Sequence, residues 1–114
     1  MLCKRKDIPN FTETDPMGGV GNLVLEKMSE AKNLPGVATF ARAILDPGSE
    51  VGYHVHSGDS EAYYFLSGVG EYNDNGVTYK VSAGDYSFTP DGEGHGVKNI
   101  GKDRLEFIAL IIKS

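Results

Sequence analysis

Hydrophobic and polar positions alternate along this chain in short stretches, each closed by turn residues before a helical period can build. "DPMGG" (15–19), "NLPG" (33–36), "DPGS" (46–49) and "SGDS" (57–60) punctuate the first half. "DNG" (74–76), "SAGD" (82–85), "PDGEG" (90–94) and "NIGKD" (99–103) continue the series. Between them, runs rich in β-branched and aromatic residues at 38–45, 51–56, 61–67, 77–81, 86–89 and 105–112 predict strands. Strands this short and evenly spaced predict an all-β antiparallel barrel or sandwich, without βαβ units. Leu23 to Leu25 predict a further strand followed by a turn, although Glu26 to Lys32 also suit a helical turn. The last run, "LEFIALII", is apolar on both faces beyond Phe107, so both faces are expected to be covered.

The 114 residues fit one domain, with an N-terminal arm over about 1–36 and a barrel over about 37–114. Fifteen glycines and six tyrosines suit a turn-rich β protein. A net charge of -5 and a pI near 5.1 argue against nucleic acid as a partner. No apolar run approaches the length that crosses a bilayer. The basic start, "MLCKRKDIPN", lacks the apolar region of a signal peptide, and Cys3 is the only cysteine. A cytoplasmic protein is expected.

The chemistry is concentrated in two glycine-bounded blocks. "HVHSGDSEAYYFLSG" (54–68) places His54 and His56 on one strand face, with Glu61 beginning the next strand. A hairpin would return that carboxylate towards the two imidazoles. The third and last histidine, His95, lies in "GDYSFTPDGEGHGVKN" (84–99). Taken singly, each residue has an ordinary structural reading. Together they form an imidazole and carboxylate set of intermediate hardness, suited to Mn, Fe, Co, Ni, Cu or Zn.

The spacing adds specificity. Gly48, His54, His56, Glu61 and Gly68 match the first cupin motif at every defining position, and Gly84, Pro90, Gly92, His95 and Asn99 match the second. Fifteen residues separate the blocks. The chain therefore resembles the cupin superfamily. "GGVG" (18–21), "FARAILDPGSEVGYHVH" (40–56), "DNG" (74–76) and "LEFIALII" (105–112) look like its small, single-domain, oxalate decarboxylase-like members. That resemblance implies a double-stranded β-helix: a jelly-roll-like six-stranded barrel with extra N-terminal strands. It also implies one divalent transition metal (Mn, Fe, Ni or Zn) inside, held by His54, His56, Glu61 and His95. Two adjacent coordination positions would stay open for water, substrate or dioxygen.

Alternation extends the expectation to the pocket. If Glu61 points inward, Tyr63 and Phe65 share its face while Tyr64 and Leu66 face out. Tyr86 and Phe88 are expected to line the pocket from the next strand; Tyr53, Val55 and Arg42 are expected to point away. The oxalate label meets two departures. Two-domain oxalate decarboxylases carry an arginine three residues before the first motif histidine, where this chain has Val51, and an acidic lid tract with no equivalent here. Two functions follow. One is a metalloenzyme acting on a small oxygenated molecule such as an organic acid, of dioxygenase, decarboxylase or isomerase type. The other is a non-catalytic, metal-dependent binding protein for a small organic acid or sugar. A homodimer is expected from the two-faced apolar strand at 105–112.

Overall fold

Turn residues divide the chain into ten strands in a computed structural model that describes residues 1–114. In order they are β1 (Asn10–Thr14), β2 (Asn22–Lys27), β3 (Val37–Leu45), β4 (Glu50–Val55) and β5 (Asp59–Ser67). Next come β6 (Val69–Asp74), β7 (Val77–Ser82), β8 (Tyr86–Thr89), β9 (Gly94–Asn99) and β10 (Leu105–Lys113). One helical turn, α1 (Met28–Ala31), separates β2 from β3. Both readings of residues 22–34 are therefore realised, the strand first and the helical turn after it.

Antiparallel pairing makes two sheets, ordered β1-β2-β3-β10-β5-β8 and β4-β9-β6-β7. This is the all-β double-stranded β-helix, with β1 and β2 extending the first sheet at one edge. β4 and β5 lie in different sheets, so the expected hairpin between the histidines and Glu61 does not form. The "SGDS" turn instead carries the chain across the barrel, and Glu61 meets the histidines from the opposite wall.

Two strands have weak signals. β6, "VGEYND", is rich in residues of low β propensity, yet Gly70 and Tyr72 face inward and are buried. β1 is exposed throughout and exists only by pairing with β2, Phe11 opposite Leu25. Alternation holds better in β10, where Leu105, Phe107 and Ala109 are buried and Glu106, Ile108 and Leu110 are half-buried on the outer face.

Leu45, Phe65, Val97, Leu105 and Phe107 are at most 1% exposed and fill one end of the barrel. Motif residues without ligand chemistry hold the strand ends together. Asn99 donates through Nδ2 to the carbonyls of Leu45 and Asp103, and its Oδ1 accepts from the Gly101 N–H. Gly68 has φ +90° and passes so close to Arg104 that any Cβ would strike its carbonyl oxygen at 2.5 Å.

Candidate metal centre

A bulge in β4 decides where its histidines point. Val51 pairs with Val97 and His54 with His95, so three steps along β4 oppose two along β9. Strict alternation would put Val51 and His54 on opposite faces; the extra residue reverses the parity and brings both inside. Gly52 makes the bulge possible, because a Cβ there would lie 2.3 Å from the carbonyl oxygen of Met17. Tyr53 and Val55 turn outward, 47% and 59% exposed. His54 enters from β4, His56 from the position just after that strand, His95 from β9 and Glu61 from β5 in the opposite sheet.

The four side chains converge, each offering one ligand atom, all within 4.8 Å of one another. His56, Glu61 and His95 are buried and His54 is half-buried. Glu61 Oε1 lies 3.0 Å from His56 Nε2 and 2.9 Å from His95 Nε2, and those two nitrogens are 3.0 Å apart. Each opposite ring nitrogen is engaged. His54 Nδ1 donates to the Gly52 carbonyl oxygen at 2.8 Å, and His56 Nδ1 donates to Asp59 Oδ1 at 2.8 Å. With its Nδ1 protonated, each of these rings turns an Nε2 lone pair towards the centre. His95 Nδ1 sits 2.8 Å from the Tyr72 hydroxyl and 3.0 Å from Thr89 Oγ1.

This arrangement suits a cation. Lone pairs and a carboxylate packed at such distances repel unless a ring proton or a cation lies among them. Ligands about 2.1 Å from a metal and at right angles stand about 3.0 Å apart, which matches the observed edges. Burial, opposed by the Gly52 hydrogen bond, lowers the His54 pKa and favours the neutral, ligating ring. The residues therefore fit one transition metal ion, and the secured Nδ1 atoms are the supports such ligands need.

Beside the ligands lies a cavity of about 410 Å³. Its walls are mainly apolar, with Leu23, Leu25, Val51, Tyr63, Phe107 and Ala109 among them. Tyr63 lies as expected, its ring 4.8 Å from that of His95, and burial holds its phenol well above the ordinary pKa. Phe65 points inward but packs beneath Tyr63 and Phe107 as core and does not reach the cavity.

Tyr86 and Phe88 are misplaced by the sequence reading. They pair with Tyr64 and Ala62 on the outer face and are 68% and 47% exposed. Their polar neighbours Ser87 and Thr89 face inward, because Thr89 is needed beside Tyr72 and His95. Tyr72 is the functional neighbour that sequence reasoning missed; its inward alternation with Gly70 was the available signal. Arg42 points outward as expected and pairs with Glu106 at 2.7 Å. The cavity's side-chain charges besides the ligands are Glu13, Lys27 and Asp59, none of them singled out beforehand.

Comparison with known proteins agrees with this geometry. Residues 41–111 match the family model described as a cupin domain. The chain is 38% identical over 113 residues to an oxalate-binding protein of Thermotoga maritima, covering 98% of this chain and 93% of that one. It is 29% identical over 105 residues to oxalate decarboxylase OxdC of Bacillus subtilis, covering 86% of this chain but 27% of that protein. Among solved structures, a predicted oxalate decarboxylase from Thermotoga maritima superimposes with a TM-score of 0.90, at 38% identity and full coverage of both chains. A sugar phosphate isomerase from Silicibacter pomeroyi, at 18% identity, shares the fold with a TM-score of 0.82, covering all of this chain and 76% of that one. Motif spacing, β-helix topology and a ligand cluster between the sheets lead to one assignment: the chain belongs to the cupin family.

Proposed function

We propose that this cupin binds one divalent transition metal through His54, His56, Glu61 and His95 and, through that metal, a small organic acid. The observation that carries the reading is the convergence of three imidazoles and one carboxylate within 4.8 Å at the base of a cavity. A metal held by these residues would supply Lewis acidity suited to an acid that offers two oxygens in a five-membered chelate. Oxalate, 2-oxo acids and 2-hydroxy acids have that form, and a relative named an oxalate-binding protein supports the class.

Binding is favoured over catalysis because neither Tyr63 nor Asp59, ionisable cavity groups packed against the site histidines, is a free general base. Tyr63 stays protonated, and Asp59 is engaged with His56. The metalloenzyme reading keeps one specific support, the unfilled volume next to the ligands, where dioxygen or water has room to enter.

A cytoplasmic homodimer completes the proposal, its single thiol in keeping with a reducing compartment. No helix is long and apolar enough to cross a membrane. The outer face of the larger sheet carries two rows, Arg42–Ile108–Tyr64–Tyr86 and Phe40–Leu110–Ala62–Phe88. Apolar residues this densely placed on a sheet face suit burial against a second copy.

Elemental analysis of untagged protein tests the site. About one transition metal per chain is expected, and almost none in a His54→Ala/His56→Ala variant. Oxalate should then bind the metal-loaded protein and not the metal-free one. Equal metal content in wild type and variant would overturn the reading.

A further inference from the structure

A single lysine faces the cavity, and no acid neutralises it. Lys27 ends β2 on the face that carries Leu23 and Leu25, so alternation aims it at the same interior. It takes part in none of the ion pairs of the molecule. Its Nζ rests 4.9 Å from the centroid of the Phe11 ring, a weak contact for a half-buried ammonium.

The strand register places this cation in line with the metal ligands. Lys27 pairs with Ala41, Ala41 with Ala109, and Ala109 with Tyr63, whose ring lies against His95. That row spans three strand spacings, roughly 14 Å along the curved sheet. Ala43 and Ala109 line the cavity on this sheet, so small side chains leave room between cation and ligands. The cavity, about 410 Å³, falls in the size range of pockets that hold ligands far larger than oxalate.

We propose that Lys27 is the second anchor of the site and that its ligand is a dianion. One end chelates the metal as a 2-oxo or 2-hydroxy acid. A short carbon chain crosses Ala109, and a second carboxylate meets the Lys27 ammonium. Glu13 and Asp59 also line the cavity, which leaves Lys27 as its one side-chain cation for a second carboxylate. The inference rests on the metal-dependent acid binding proposed above.

Calorimetric titration of the Mn(II)-loaded protein with 2-oxoglutarate and with pyruvate tests it. The two probes share the chelating head and differ in the second carboxylate. Lys27→Met should weaken 2-oxoglutarate about tenfold, as for loss of a charged hydrogen bond, and change pyruvate less than twofold. Lys27→Arg should restore most of the difference. Raised ionic strength should weaken 2-oxoglutarate more in the wild type than in Lys27→Met. Equal effects on both probes, or on neither, would overturn the anchor, as would failure of 2-oxoglutarate to bind the wild type. Pyruvate binding that disappears in His54→Ala/His56→Ala would leave the metal reading standing even then. Binding of both probes that survives this double variant would refute the metal reading instead.

Discussion

Tyr72→Phe removes one oxygen from beneath the proposed metal site and keeps the ring. The hydroxyl stands 2.8 Å from His95 Nδ1 and 3.1 Å from Thr89 Oγ1, and burial raises its pKa, so it remains a neutral phenol able to donate or accept. Losing it does not orphan His95, because Thr89 Oγ1 stays 3.0 Å from the same nitrogen. The expected stability cost is therefore about 1 kcal/mol, one net hydrogen bond. Metal affinity should fall by only about threefold, less than for loss of a ligand's sole supporting partner. Thr89→Val alone should behave alike, with Tyr72 as the remaining partner. In the double variant Nδ1 has neither hydroxyl, and a buried ring nitrogen left unpaired costs about 1–3 kcal/mol. Affinity should then drop about 100-fold, well beyond the product of the single losses if each is about threefold. Competition between the protein and a metal-binding dye measures the affinities, and urea unfolding measures the stabilities. A double variant whose losses merely multiply, or Tyr72→Phe with unchanged affinity and stability, would refute the claim that the two hydroxyls share one role.

Other outcomes follow from the same geometry. Ala109→Leu should fill the low floor of the cavity and abolish acid binding while metal content stays near one per chain, at an overpacking cost of about 1–3 kcal/mol; calorimetry with metal analysis separates the two effects. Gly52→Ala should lower metal content without touching a ligand, since a Cβ there meets the Met17 carbonyl and shifts the bulge that aims His54. In metal-free protein the His54 pKa lies below its ordinary 6.5, so the unfolded chain takes up that proton first. Stability should accordingly decline as pH falls below about 6.5 and level off beneath the lowered native value, a decline that His54→Ala reduces. Leu110→Lys, on the outer face, should yield monomers by light scattering with the metal site intact; unchanged mass would place any interface elsewhere.

The clustering of His54, His56, Glu61 and His95 was legible because few residue types offer such chemistry and the turn glycines fix their spacing. Most strands were legible for a related reason: alternation is strong wherever one face is buried, as in β5 and β10. Three features were hidden. The β4 bulge leaves no periodic trace, although it decides that Val51 faces inward with His54. β8 inverts the usual rule, placing Tyr86 and Phe88 outside because the polar Thr89 is required within. The sheet change between β4 and β5 was invisible because "SGDS" serves a hairpin and a crossover equally well.

Ligand choice and metal choice sit on different parts of the chain. The proposed metal ligands come from β4 and the residue after it, β5 and β9, inside the two motif blocks, where bulge, glycines and register leave little freedom. Glu13, Met17, Leu23, Leu25 and Lys27, which form much of the cavity wall, come from the N-terminal segment outside both blocks. Met17 is held against β4 beside Gly52, whereas Glu13, Leu23, Leu25 and Lys27 are placed by the pairing of β1 with β2 and of β2 with β3. A substitution at Glu13 or Lys27 can alter the charge of the mouth without touching His54, His56, Glu61 or His95. Motif spacing therefore argues strongly for the metal and hardly at all for the acid. The experiment that decides the acid is a charge change at Lys27, with metal content as the control that should not move.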